Sequence, residues 1–107
     1  MKRSQDMVTT PAARATARHL AALVKQARLA RRWSQAELAE RARVSGATVH
    51  RIEHGSVAAS LGAWLAVLER LGLLGRLNEI RDPASETVLD ETRAQRAGRE
   101  RVDDLDF

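Results

Sequence analysis

The sequence predicts an all-α fold, a domain of five short helices followed by a charged tail. Three observations predict it. Apolar residues recur at three-to-four spacing through most of the first eighty positions, the period of a helix with one buried face. Thr10, Ser34, Ser45 and Ser60 stand just ahead of these runs as N-caps. Gly55 and Gly72 stand where helices would end in a left-handed C-cap.

Taken in order, Thr10-Pro11 is a cap followed by a first-turn proline, and the alanine-rich stretch behind it has high helix propensity. The first helix starts there, with Leu20, Leu23, Val24 and Ala27 as its expected buried stripe. Trp33 precedes the next cap and is placed to staple the second helix. Ser34 with Glu37 forms a capping box, so that helix starts at Gln35, and Leu38, Ala39 and Ala42 face inward. Ala39 is small enough to let another helix cross closely. After a break at Arg43-Val44, Ser45 caps a third helix with Val49 and Ile52 buried and Gly55 at its end. Ser60 caps a fourth, with Leu61, Trp64, Leu65, Val67, Leu68 and Leu71 inward and Gly72 as terminator. Leu73, Leu74, Leu77 and Ile80 predict a short fifth helix over residues 73–80.

Residues 34–55 thus read as two short helices joined by a tight turn, a helix-turn-helix. Together with Arg28, the Ser34-Gln35 pair, Leu38-Ala39, Val44-Ser45, Val49 and the run Arg51-Ile52-Glu53-His54-Gly55, this segment resembles the Cro/CI or XRE family of helix-turn-helix repressors. The resemblance runs over residues 20–73, about half the chain, and implies a lambda-repressor-like DNA-binding domain over residues 10–80. Residues 1–9, basic and polar, are expected to be a flexible arm and residues 81–107 a charged tail. Arg32 and Arg43 depart from the family, standing at turns where its members very often have glycine. A left-handed residue other than glycine costs roughly 1 kcal/mol, so strain or a different turn shape is expected at both.

The resemblance implies which residues meet DNA. The second helix of the motif enters the major groove N-terminus first. Its opening residues Gly46 and Ala47 carry no hydrogen-bonding side chain, although Ala47 can touch a thymine methyl group. Base readout therefore falls to Thr48, His50 and above all Arg51, whose fork matches guanine O6 and N7. Gln35, at a helix N-terminus, matches a phosphate contact of the family, and Arg32, Ser34, Ser45 and His54 are further phosphate candidates. Arg28 and Glu53 are expected to form a structural ion pair between the first helix and the end of the recognition helix. Leu73 to Ile80 corresponds to a region that often helps such repressors dimerise, which implies a homodimer on palindromic operator DNA.

Charge agrees with that expectation. Residues 1–54 hold 11 Lys or Arg against 4 Asp or Glu, whereas residues 55–107 hold 7 against 10, so the basic half carries the motif. Arginine supplies 16 of the 18 basic residues; base composition of the genome explains this as well as bidentate contacts do. With 107 residues the chain is too short to enclose a large catalytic cleft, and catalysis is not expected. It has no cysteine, hence neither disulfide nor thiolate metal site. No apolar run approaches the ~20 residues that span a bilayer, and no signal-peptide core follows the N-terminus, so no membrane partner and a cytoplasmic location are expected.

One competing pattern is His50-Arg51-Ile52-Glu53-His54, which reads H-x-x-E-H, as in inverted zinc peptidases. Such sites need a third ligand and a cleft, while Ile52 and Glu53 already have structural roles, so no metal and no cofactor are expected.

Beyond Ile80, Asp82-Pro83 signals a helix start, but only Val88, Leu89 and Ala94 follow as a sparse stripe, and a partly helical, partly disordered tail is expected. Residues 102–107 are acidic and end in Phe107. This end resembles HipB-type antitoxins, which dimerise, bind operators in their own promoters and associate with a HipA-type serine/threonine kinase toxin. A solvated charged tail on a standalone phage or mobile-element regulator is the plainer alternative. A third is a protein-interaction module that inhibits a partner enzyme.

Overall fold

The computed structural model describes the backbone of residues 9–105 and the side chains of residues 9–100. Among these residues there are six helices and no strand: α1 (Pro11–Ala30), α2 (Gln35–Ala42), α3 (Gly46–Glu53), α4 (Leu61–Arg70), α5 (Leu74–Leu77) and α6 (Pro83–Leu105). The fold is all-α, with a helix-turn-helix formed by α2 and α3. The basic arm expected over residues 1–9 lies outside the described residues except for Thr9, and so do the side chains of the acidic end, residues 102–107.

The helix starts follow from local chemistry. Thr10 accepts from the Ala13 N–H at 3.1 Å with Pro11 in the first turn. Ser34 accepts from Glu37 N–H at 3.0 Å, and the Glu37 carboxylate accepts the Ser34 N–H at 3.3 Å, closing the capping box. Ser45 and Ser60 cap α3 and α4 by accepting from Thr48 N–H and Ala63 N–H.

The helix ends share one device. Arg32, Arg43, Gly55 and Gly72 all take left-handed backbone angles, at φ 57°, 59°, 74° and 76°. In each case the following N–H, of Trp33, Val44, Ser56 or Leu73, reaches back five residues to a carbonyl of the helix just ended, at 2.8–3.2 Å. This is the Schellman closure, which satisfies carbonyls the helix leaves open. At two of the four ends it is built on arginine.

The core lies where α2, α3 and α4 converge against α1. Val24, Leu38, Val49, Ile52 and Val67 are fully buried, with Leu71 and Ala39 almost so. Ala39 lets α2 approach its neighbours, since a larger side chain there would hold the helices apart.

Three expectations about burial need correction. On α1 the buried residues are Ala21, Val24 and Arg28; of the expected stripe Val24 is buried, Ala27 packs partly buried against the core, Leu20 is half-buried, and only Leu23 is exposed. Arg28 takes an inner position to meet Glu53, and Leu23, on the side of the helix away from the core, is left 39% exposed. On α4, Val67, Leu68 and Leu71 are buried, Trp64 and Leu65 are half-buried, and Leu61 in the first turn is 71% exposed. The fifth helix is only Leu74–Leu77. Leu73 offers no side-chain cap, Gly75 weakens the middle, and Ile80 is left outside and exposed.

The tail starts its helix where Asp82-Pro83 signals it. The Ser85 hydroxyl donates to Asp82 and, with the weaker help of the Ala84 and Ser85 backbone N–H groups, outweighs an opposing desolvation to hold the Asp82 carboxyl below the ordinary value. Every described residue of α6 is exposed except Glu86, which is half-buried. No helix among the described residues is long and apolar enough to cross a membrane.

Candidate nucleic-acid interface

The helix-turn-helix turns α3 so that Val49 and Ile52 are buried and the remaining residues form an outward face. Ala47, His50 and Arg51 are exposed and Thr48 is half-buried. Three polar side chains on this face are linked in register. The Ser45 and Thr48 hydroxyls share a hydrogen bond at 2.7 Å, and Arg51 Nη2 donates to Thr48 Oγ1 at 3.4 Å. Positions three apart lie along one side of a helix, so a line of donors runs from the cap into the second turn. Ser45 is committed first to its helix, through the Thr48 N–H. Thr48 is therefore an organiser of the face, holding Arg51 while it is held by Ser45.

His50 and His54 stand one turn apart with ring centroids 4.0 Å from each other, and His54 Nδ1–H donates to the His50 carbonyl at 2.8 Å. That bond uses one ring nitrogen of His54 to close the end of α3. Glu53 does not face these rings; it is turned inward to Arg28. Among the described residues no group of three or more His, Cys, Asp or Glu is arranged to hold a metal ion.

Beneath the face, Arg28 and Glu53 form a two-pronged pair, Nε to Oε2 at 2.6 Å and Nη2 to Oε1 at 3.0 Å. Their side chains are 9% and 1% exposed. Arg28 Nη1 also donates to the Trp33 carbonyl at 2.8 Å, so one guanidinium joins α1, the turn before α2 and the end of α3. Burial alone pushes the Glu53 carboxyl up. Hydrogen bonds from Arg28 and Gln35, with the positive charges of Arg28 and Lys25, outweigh it and hold the group below the ordinary carboxylate range. The hydrogen bond to Glu53 raises Arg28 in turn, against a smaller desolvation.

Gln35 belongs to this network, which the sequence did not disclose. Its Nε2 donates to Glu53 Oε1 at 3.1 Å, so one amide proton of the expected phosphate contact is already engaged inside the protein. Gln35 directly follows the Ser34 cap, and only the crossing of α2 over α3 brings it to Glu53. Of the remaining phosphate candidates, Arg32, Ser34 and His54 are exposed, with Arg32 fixed in its left-handed turn.

Sequence reasoning also missed what Arg31, Arg41 and Arg70 do. Arg31 Nη2 donates to the Leu71 carbonyl at 2.7 Å, and Arg70 Nε to the Arg41 carbonyl at 2.9 Å, so each ties one helix end to another element. Arg41 lies over the Trp33 ring, 4.5 Å from its centroid. Arginines in a basic sequence give no local sign of which carbonyl they will find.

A family model described as a helix-turn-helix domain matches residues 19–79. No curated protein and no solved structure matches the chain.

Proposed function

The chain belongs to the helix-turn-helix domain family, and from that premise we propose that it is a sequence-specific repressor of the Cro/CI or XRE type that binds operator DNA as a homodimer. The observation that carries this reading is the Ser45, Thr48 and Arg51 line on the exposed face of α3, laid over a core that fixes the helix. Arg51 is the principal base reader, with His50, Thr48 and the Ala47 methyl beside it. Arg32, Ser34, Gln35, Ser45 and His54 contact phosphates and set the register. The Arg28 and Glu53 pair is structural and touches no DNA. A dimer places two such helices about one helical turn apart, ~34 Å, and repression follows from occupancy of the promoter.

Within that reading the most specific role is that of an antitoxin that represses its own operon and binds a HipA-type kinase toxin. Its support is the acidic segment ending in Phe107. The exposed Val88 and Leu89 of α6, 60% and 51% accessible, also favour a protein-binding role for the tail. The test is selection of bound sequences from random duplexes, then anisotropy titrations against the selected and a scrambled site. A selected site without dyad symmetry, or equal affinity for both duplexes, sinks the operator reading. For the antitoxin role, an adjacent kinase reading frame whose product co-purifies with the full chain, and no longer does so when residues 82–107 are deleted, is the expected result. Absence of such a neighbour leaves a standalone regulator.

A further inference from the structure

An apolar groove of about 370 Å³ runs between the first turns of α1, the loop after α3 and α4, lined among others by Ala17, Leu20, Val57, Leu61, Trp64 and Leu65. It lies apart from the exposed polar face of α3 and is not used by the DNA-binding reading. Leu61 on its edge is 71% exposed, an unusual position for a large apolar residue next to others. A second apolar patch, Ala84, Val88 and Leu89, lies exposed on the first turns of α6. The molecule measures 67 Å by 33 Å by 21 Å, so it is elongated rather than round.

The two apolar surfaces are flanked by opposite charge. Helix α1 contains no Asp or Glu, and Arg14 and Arg18 each stand one residue along from the groove-lining Ala13 and Ala17. Residues 82–92 contain Asp82, Glu86, Asp90 and Glu91 and no Lys or Arg. Their local pairs, Arg81 with Glu86 at 2.8 Å and Arg93 with Asp90 at 3.6 Å, are exposed and worth little, so they are easily exchanged for others. A groove beside basic residues and an apolar stripe among acidic ones are complementary in both respects.

We infer that the first turns of α6 from one copy dock in the α1/α4 groove of a second copy, with the reciprocal contact closing a two-fold dimer. Reciprocal exchange between two copies is isologous and saturates at two chains, whereas one-way docking would propagate into longer oligomers. Val88 and Leu89 cover Leu61 and Leu20, and the acidic residues of α6 meet Arg14 and Arg18. This deepens the homodimer reading and rests on it, while assigning the interface to α6 and not to α5 alone.

The absence of cysteine gives a clean test. Leu61→Cys and Val88→Cys both alter exposed side chains, so neither disturbs the core, which thermal melting of each variant verifies. The two single variants are mixed under mild oxidation and run without reductant, and the double variant is run alongside. The expected result is a disulfide-linked dimer from the mixture, absent from either variant alone at the same concentration, and formed more slowly as added salt screens the charges that steer the two surfaces together. Light scattering on the unmodified chain separates the two readings. A monomer at high concentration overturns the dimer and this interface together. A dimer that gives no Leu61-to-Val88 cross-link overturns the α6 docking and leaves dimerisation through α5 standing. An intramolecular disulfide in the double variant, with none between chains, shows that α6 folds onto its own groove and also overturns the proposal.

Discussion

At Arg32 and Arg43 the backbone takes the left-handed conformation that Gly55 and Gly72 adopt at the ends of α3 and α4. Steric cost at each arginine is about 1 kcal/mol, so a reason for keeping the side chain is needed at a site where glycine is better for the fold. For Arg32 the proposed reason is a phosphate. Arg32→Gly should then raise unfolding free energy by about 0.5–1 kcal/mol in urea titrations while weakening binding to every DNA sequence, and reduce the log-log salt slope by about 0.9. Gain in stability with unchanged affinity would remove Arg32 from the interface. Arg51→Ala should behave in the opposite manner. It leaves stability within about 0.5 kcal/mol, since the side chain is exposed, and costs about 1–3 kcal/mol of discrimination between selected and scrambled sites, readable as a narrowed affinity ratio. An unchanged ratio argues against base readout at that position. The sequence disclosed the glycine departures themselves, because turn position and residue type are local properties. It could not disclose that Thr48 is held by Ser45 and in turn holds Arg51, because rotamers are chosen by neighbours.

Element by element, the helix starts were readable and the faces less so. Four Ser or Thr caps each occupy their N-cap position, since a cap satisfies N–H groups within three residues of itself. Burial depends on which helix crosses which. Arg28 entered the inward face of α1 because Glu53 waits beneath it, 25 residues away in the chain, while Leu23, expected inward, is exposed. Leu61 was counted inward by spacing alone, yet it is 71% exposed while Ala63 and Trp64 of the same turn pack against the core. The recognition helix has eight residues, too few to be stable in water by propensity, so its order comes from Val49, Ile52 and the facing Leu38. Leu38→Ala should therefore cost about 2–5 kcal/mol and abolish specific and non-specific DNA binding together at temperatures where the variant melts, as circular dichroism and anisotropy recorded side by side would show. Retained affinity in an unfolded variant would detach binding from the motif.

For the whole molecule, the Arg28, Glu53 and Gln35 network links three elements through one carboxylate. Glu53 is held below the ordinary carboxylate range in the folded state, so unfolding takes up a proton in acid. The stability it confers is fully present above about pH 4.3, the unfolded value, and is lost as pH falls through the folded one. Melting temperature should drop on acidification more steeply for the native chain than for Glu53→Gln, and parallel profiles would show that other carboxylates govern acid unfolding. Glu53→Ala, which strands a buried guanidinium, should cost about 3–5 kcal/mol at neutral pH in denaturant titrations. Fold class and the position of the helix-turn-helix were legible because they rest on periodicity and caps. The network was not, because it is assembled from residues 28, 35 and 53 only after the helices cross. The same crossing leaves the opening of α3 blank. A Cβ added at Gly46 meets nothing within 4 Å, and Ala47 is exposed, so the leading edge of the helix accepts new side chains without disturbing anything beneath. On the proposed reading of DNA by α3, substitutions at these two positions would change target preference while leaving the scaffold beneath untouched.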